Sequence, residues 1–374
     1  MLTKISIEQP SLLFAIYFGY FLTSIVFSFL LNKVLLKFSS NLGIRTHDVN
    51  VRWSSASKPA FGGIGFFIVF LISGSIYSIL FDIGPDVFNV ELLGIVTASS
   101  IAFIMGLADD AYNTKPLLKF GAQLMCGVIL IFTGTYIQLF PSEIANYTLT
   151  IFWVVGIMNS INMLDNMDGI ATTVSIFTLL AAILTIFLSS KDYTNFHLLL
   201  LLGVMGSLVG FLFFNWHPSK MFMGDTGSQF LGVFLAAIGI IYFWNNKGVS
   251  GDDAHTRQIV IALLAFIMPI IDTTAVTINR LRKGIPPYVG GKDHTTHHLS
   301  YLGYTDDKVG LIFGGLSLGS VFLIFVILKI ISQWNYWHAA LFFVYFLIVF
   351  GIFYRNTLVS SPPIFSEKKE EEKP

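Results

Sequence analysis

The chain has 374 residues, 54% hydrophobic and only 12% charged, with 22 basic and 22 acidic side chains and a mean hydropathy of +0.73. That balance excludes an ordinary soluble domain and fits an integral membrane protein, and zero net charge argues against nucleic acid as a partner. The one cysteine, Cys126, sits in an apolar run, so neither a disulfide framework nor a cysteine-based metal site is available.

A helix needs about 20 apolar residues to cross about 30 Å of hydrocarbon. Runs of this kind lie near 11–35, 64–81, 91–108, 119–140, 146–161, 170–189, 196–214, 228–244, 258–278, 309–331 and 336–354. They predict an all-α polytopic membrane protein of about 11 transmembrane helices. No strand-period alternation supports a barrel. The first run carries no small-residue cleavage site and reads as a retained helix. Residues 1–360 then form a single integral membrane domain, and the charged end 361–374 reads as a disordered tail. Placing the N-terminus outside puts most of the 22 basic residues on inner segments, so the expected topology is N-out/C-in.

With that orientation every unusual polar cluster falls on the inner face: Arg45–Lys58, Asp109-Asp110, Asn159–Gly169, Asn215–Asp225 and Arg280–His298. Carboxylates beside hydrocarbon are costly unless they meet water, a metal or a partner. These loops are therefore expected to form one composite cytoplasmic-face site. Asp109, Asp110, Asp165, Asp168 and Asp225, with the amide oxygen of Asn162, are hard oxygen donors that suit Mg²⁺, which favours a phosphorylated substrate. Lys119, Arg280, Arg282 and Lys283 could complement phosphate, and the last three equally could be inner-face anchors at a helix end. Gly224-Asp225-Thr226-Gly227-Ser228 opens a span and offers free N–H groups to an anion. His294, His297 and His298 read as donors to phosphate or as pH-dependent groups rather than zinc ligands. Asp272 lies two helical turns before Arg280, too far for a direct pair.

Three motifs carry a resemblance. They are Gly106-Leu-Ala-Asp109-Asp110 with Lys119 and Gln123; Asn159-x-x-Asn162-x-x-Asp165-x-x-Asp168-Gly169; and Phe214-Asn215-x-x-Pro218-x-x-x-Phe222-Met223-Gly224-Asp225-x-Gly227-Ser228. From about Arg45 to Gly303 the chain resembles the polyprenyl-phosphate N-acetylhexosamine-1-phosphate transferases, in particular the undecaprenyl-phosphate GlcNAc-1-phosphate branch related to the phospho-MurNAc-pentapeptide translocase. Two positions depart from the pattern: Thr296 and Ala56 stand where the family usually has histidine.

The resemblance implies a Mg²⁺-dependent transfer of a sugar-1-phosphate from a UDP-sugar to undecaprenyl phosphate, with release of UMP, in a bacterial inner membrane. It further implies Asn162 and Asp225 as metal ligands and Asp109, Asp110, Asp165 and Asp168 around the reaction centre. Lys119, Asn159, Asn215, Arg280, His294, His297 and His298 would bind substrate. UDP-GlcNAc is the first expectation for the donor, with UDP-GalNAc, a 6-deoxy-amino sugar or UDP-MurNAc-pentapeptide as alternatives. Membrane lipid is a further partner, and a homodimer is left open. The rival class is a transporter or flippase for an anionic substrate; polar inner loops without mid-span charge, apart from Asp272, favour the enzyme.

Overall fold

A computed structural model describes residues 10–38, 58–80, 89–190, 196–246 and 254–360. The expected tail 361–374, and Arg45, Arg52 and Ala56 of the first loop, lie outside the described residues.

Among the described residues the regular structure is all helix: α1 (Pro10–Phe38), α2 (Gly62–Leu80), α3 (Val90–Tyr112), α4 (Pro116–Phe132), α5 (Glu143–Leu164), α6 (Ile170–Thr185), α7 (Phe196–Asn215), α8 (Gly224–Gly239), α9 (Ala254–Ala265), α10 (Ile267–Arg282), α11 (Thr295–Tyr301), α12 (Asp306–Phe325) and α13 (Tyr336–Val359). Helices α6, α8 and α12 each continue into one wider π-helical turn.

Each apolar run expected from hydropathy overlaps a helix, though the run near 119–140 leaves α4 after Phe132 and its last eight residues are not helical. Among the described residues eight helices are long and apolar enough to cross a membrane, or nine if α9 and α10 are counted as one span; α2 and α4 are apolar but shorter. The protein is thus a multi-pass membrane protein whose described residues form helices and no strands. The run expected as a straight span over 258–278 is instead two helices meeting at 79°. Hydropathy does not register that break, at Phe266 with Pro269 just beyond it.

Local chemistry sets the helix ends that later matter. Asn89 caps α3 by accepting from the N–H groups of Glu91 and Leu92. Helix α3 stops at Asn113, whose φ of 50° is left-handed, and Pro116 opens α4 where a missing N–H costs nothing. The turn between them is only three residues long, so the first turns of α4 fold back beside the end of α3.

Helix α8 is the buried axis of the bundle, with α2, α3 and α5 against it. Its upper half is ringed by phenylalanines: Phe67, Phe70, Phe230 and Phe234 meet edge-on or stacked at 5.3–6.2 Å. The approach of α3 to α8 depends on Gly106, where a Cβ would lie 2.2 Å from the Asp225 carbonyl oxygen. That contact, backbone on backbone, carries the end of α3 to the start of α8.

Candidate active site

The ends of α3, α5 and α10, the loop after α7 and the starts of α4, α8 and α11 line one cavity of about 1380 Å³. Asp109, Lys119, Asn159, Asn162, Asp165, Asp168, Asp225, Arg280, His294 and His297 line it. Asp110, Asn215 and His298 do not line it, and each has a different task.

At its centre stands the Lys119 ammonium, from the first turn of α4. It donates to Asp225 Oδ2 (2.6 Å), Asp109 Oδ2 (3.1 Å) and Asn162 Oδ1 (3.2 Å). Three oxygens, from three other helices, thus converge on one cation. The Asn162 amide is held with its oxygen inward because Nδ2 donates to Asp225 Oδ1 and to Ser228 Oγ, both at 2.8 Å. Asp109 Oδ1 accepts from Thr114 N and Oγ1, which closes the turn between α3 and α4 and leaves Oδ2 for the lysine.

Asp110 points the other way. Its oxygens accept from the N–H groups of Asp225 (2.9 Å) and Thr226 (2.8 Å) and from Thr226 Oγ1 (2.6 Å). Neighbours on a helix diverge by roughly 100°, so the pair divides: Asp109 faces the cavity while Asp110 caps α8, where the helix dipole favours an anion. Gly224 makes room, since its φ is +75° and a Cβ would sit 2.7 Å from Asp110 Oδ2.

Below the cation, Asn159 and Gln123 exchange hydrogen bonds (2.8 and 3.2 Å), and Gln123 Nε2 also donates to Gln229 Oε1 at 3.1 Å. Gln123 and Gln229 are fully buried. On the opposite wall Asp168 accepts from Ser219 N and Oγ and lies 3.2 Å from His217 Nδ1, with the Lys58 ammonium 3.7 Å away. This carboxylate holds the 217–219 loop in place. Asn215 is buried behind that loop, accepting from Thr172 Oγ1 and donating to the Met221 carbonyl. Asp165 caps the end of α5 at the cavity wall.

The third wall is α10, the 283–293 segment and α11. The Arg280 guanidinium, 4% exposed, grips Asp293 through Nε (2.9 Å) and Nη2 (2.7 Å), and Nη1 donates to the Pro287 carbonyl. Burial raises the Asp293 pKa, but the Arg280 hydrogen bonds and charge outweigh it and hold the carboxyl below its usual range. Arg280 therefore spends its fork on a loop rather than presenting it whole to a phosphate. Asp272, fully buried, accepts from Thr295 N and Oγ1 and lies 2.8 Å from His294 Nδ1, which fixes that ring at the cavity edge. Burial, reinforced by the His294 charge, pushes the His297 pKa down to about 3, so its ring stays neutral. Burial likewise lowers His298, whose Nδ1 is 2.7 Å from Ser360 Oγ. Thr296, one of the two departures from the family pattern, donates to Asn166 Oδ1 at 2.6 Å and ties α11 to the loop after α5.

Asp293 and Gln229 were not found by sequence reasoning. Gln229 lies 106 positions from Gln123 inside an apolar helix, and no local pattern distinguishes Asp293 from a solvated loop carboxylate.

Among the described residues no three His, Cys, Asp or Glu side chains converge at metal-ligand spacing. That does not disfavour Mg²⁺, which binds through one or two carboxylates with waters and phosphate oxygens. The donor set fits it: Asn162, Asp225 and Asp109 already direct hard oxygens at one cation.

An apolar membrane bundle with a polar, phosphate-compatible cavity at one end has the build of a membrane transferase. Residues 92–243 match the model of glycosyl transferase family 4. The chain is 27% identical over 340 residues, 88% of each protein, to the "Probable undecaprenyl-phosphate N-acetylglucosaminyl 1-phosphate transferase" of Bacillus subtilis. It is 26% identical to the decaprenyl-phosphate N-acetylglucosaminephosphotransferase of Mycolicibacterium smegmatis, over 72% of this chain and 70% of that one. It is 31% identical to the phospho-N-acetylmuramoyl-pentapeptide-transferase of Streptococcus agalactiae, over 52% of this chain and 62% of that one. Residues 92–243 thus carry the match to glycosyl transferase family 4, and the relatives named as phosphotransferases support an enzyme of this kind.

Proposed function

We propose that this enzyme transfers a sugar-1-phosphate, with GlcNAc-1-phosphate the first choice, from a UDP-sugar to undecaprenyl phosphate, releasing UMP and forming the lipid diphosphate sugar. The reading includes Mg²⁺ dependence, eleven spans with N-out/C-in topology, and a site opening to the cytoplasm. The observation that carries it is the convergence of Asp109, Asn162 and Asp225 on one cation, in a cavity large enough for two phosphorylated molecules. An apolar lip of Pro116, Leu117, Phe120, Tyr288 and Val289 adjoins it, with Leu117 and Tyr288 largely exposed, and suits the chain of a lipid acceptor. The relatives from B. subtilis and M. smegmatis, named for polyprenyl-phosphate acceptors, support the same substrate class.

A lipid phosphate monoester has its second pKa near 6, so at neutral pH its oxygen is already a nucleophile. That oxygen attacks the phosphorus bearing the sugar; the bond from that phosphorus to the UMP oxygen breaks, and UMP leaves with the electron pair. What the protein must supply is orientation and charge compensation. Asn162 and Asp225 would hold Mg²⁺, which when bound neutralises pyrophosphate charge. Asp109, facing the cavity, would accept any proton remaining on the lipid phosphate. Lys119 and His294 would bind phosphate oxygens. His297, kept neutral, can donate a hydrogen bond without adding charge. Asp168 and Asp165 shape the wall through the 217–219 loop and the end of α5.

The test is direct. Purified protein given undecaprenyl phosphate, Mg²⁺ and a panel of UDP-sugars should release UMP with one of them, and Asp225→Ala should abolish release while still inserting into membranes. Failure to turn over any donor in the panel would overturn the reading.

A further inference from the structure

Helix α11 has only seven residues, too few to hold a place alone, since isolated helices below about 12–15 residues are marginal. Its ties set its position. On the α10 side, Asp272 accepts from Thr295 N at 2.8 Å and Thr295 Oγ1 at 2.6 Å, and meets His294 Nδ1 at 2.8 Å. On the far side, His298 Nδ1 lies 2.7 Å from Ser360 Oγ. Across the edge of the cavity, Thr296 Oγ1 donates to Asn166 Oδ1 at 2.6 Å, and Asn166 Nδ2 donates in turn to the Met163 carbonyl at 2.7 Å. This third tie joins the wall that carries His294 and His297 to the loop that carries Asp165 and Asp168. Thr296 itself is fully buried, so its hydroxyl acts on the cavity through Asn166. It stands where the resembled family usually has histidine, so the tie is a feature that pattern does not supply.

We propose that Thr296 and Asn166 form a positioning pair that fixes the gap between the histidine wall and the Asp165–Asp168 loop, and thereby sets which donor sugar the cavity prefers. This rests on the transferase reading and assigns that site its means of choosing. Donors such as UDP-GlcNAc and UDP-GalNAc share their diphosphate and differ at one ring hydroxyl. Polar groups held at a fixed separation tell such donors apart, because a site built to hydrogen-bond a hydroxyl rejects an analogue that cannot make the bond. A misplacement of about 1 Å costs about a hundredfold in rate. The Thr296 hydroxyl keeps the two sides of the gap in register, and deleting it also takes a donor from the Asn166 oxygen. Lys119, Asp109, Asn162 and Asp225 hold one another rather than the pair. Loss of the tie therefore bears on the choice of sugar more than on the transfer of the phosphoryl group.

Thr296→Val deletes the hydroxyl at nearly constant volume, and Thr296→Ser keeps it. Full-length protein in detergent, with undecaprenyl phosphate and Mg²⁺, is assayed for UMP release from UDP-GlcNAc, UDP-GalNAc and a UDP-6-deoxy-amino sugar. With the donor the wild type prefers, Thr296→Val should lose about tenfold or more in kcat/KM, chiefly through KM. It should lose less with the other donors, so that the preference narrows, whereas Thr296→Ser should keep the wild-type preference. Asn166→Ala should narrow it as Thr296→Val does, and the double variant should narrow it no further, as expected of two residues in one bond. Hydrogen–deuterium exchange without substrates reads the tie independently of turnover. Peptides covering 163–169 and 295–301 should both exchange faster in Thr296→Val and change little in Thr296→Ser.

An equal proportional loss with every donor would overturn the proposal while leaving the transferase standing, because general loosening lowers all rates alike. Additive narrowing in the double variant, or faster exchange in 295–301 alone, would overturn it too. Turnover of no donor by the wild type would instead remove the transferase reading, and the choice of sugar with it. If Thr296→Val does not fold, Asn166→Ala puts the same question from the other end of the bond.

Discussion

Replacing Asp110 by asparagine separates a positioning role from a chemical one. The carboxylate accepts three hydrogen bonds, from Asp225 N, Thr226 N and Thr226 Oγ1, at 2.6–2.9 Å. The best-placed asparagine keeps its oxygen toward Thr226 and turns an NH₂ toward the Asp225 N–H, donor against donor. Hydrogen bonds to charged groups contribute about 1.5–3 kcal/mol each, and an unsatisfied donor costs about 1–3. Asp110→Asn should therefore destabilise the protein by about 2–4 kcal/mol, and the start of α8, which carries Asp225, should shift. Unfolding in mixed micelles reads the first effect. UMP release read across pH reads the second, which should be a fall in rate of about tenfold or more with the shape of the profile unchanged. A variant as stable as the wild type but without turnover, or one whose profile loses a limb, would refute this account and place Asp110 among the reacting groups.

Three further predictions follow from the packing and the charges. Gly106→Ala drives a Cβ to 2.2 Å from the Asp225 carbonyl oxygen; overpacking of this kind costs about 1–3 kcal/mol, and activity should fall with stability, whereas an unchanged enzyme would show that α3 and α8 can part freely. Arg280→Lys keeps the charge but loses the two-pronged grip on Asp293; limited proteolysis within 284–292 should accelerate, and unchanged cleavage would mean that the grip does not hold the loop. Finally, His297 is held near pKa 3 when folded, against about 6.5 unfolded. The unfolded chain then takes up a proton below pH 6.5 that the folded chain refuses, so stability is complete above that pH and falls by about 2 kcal/mol on reaching pH 5. His297→Asn should flatten that part of the stability–pH curve, and an equal slope in both proteins would rule out the buried neutral imidazole.

Legibility followed the range of the interactions. The apolar runs were readable because crossing hydrocarbon constrains each segment by itself. The polar clusters were readable because carboxylates such as Asp165 and Asp168 stand out in such surroundings. What could not be read was direction. Nothing local says that Asp109 faces the cavity and Asp110 faces α8, because the answer lies in Thr114 on one side and Thr226 on the other. Arg280 looked free for a phosphate because Asp293 reaches it only after the Pro286-Pro287 and Gly290-Gly291 turns have folded back. Asn215 sits in the most distinctive motif, yet its amide fastens Met221 and Thr172 behind the site. The pattern marked where polarity matters without saying what each group touches. The bend at Phe266 escaped for the same reason, since a hydropathy average carries no angle.

The row of amides formed by Asn159, Gln123 and Gln229 has a consequence for the membrane itself. It lies between the ionic layer and the phenylalanine-filled interior around Phe230 and Phe234, and none of its members can be charged. Along α8 the side chains that follow Asp225 inward are the neutral amide of Gln229 and then the rings of Phe230 and Phe234. A dense set of carboxylates at one end of the bundle is thus backed, on the side of the apolar interior, by groups that dissipate no charge into it.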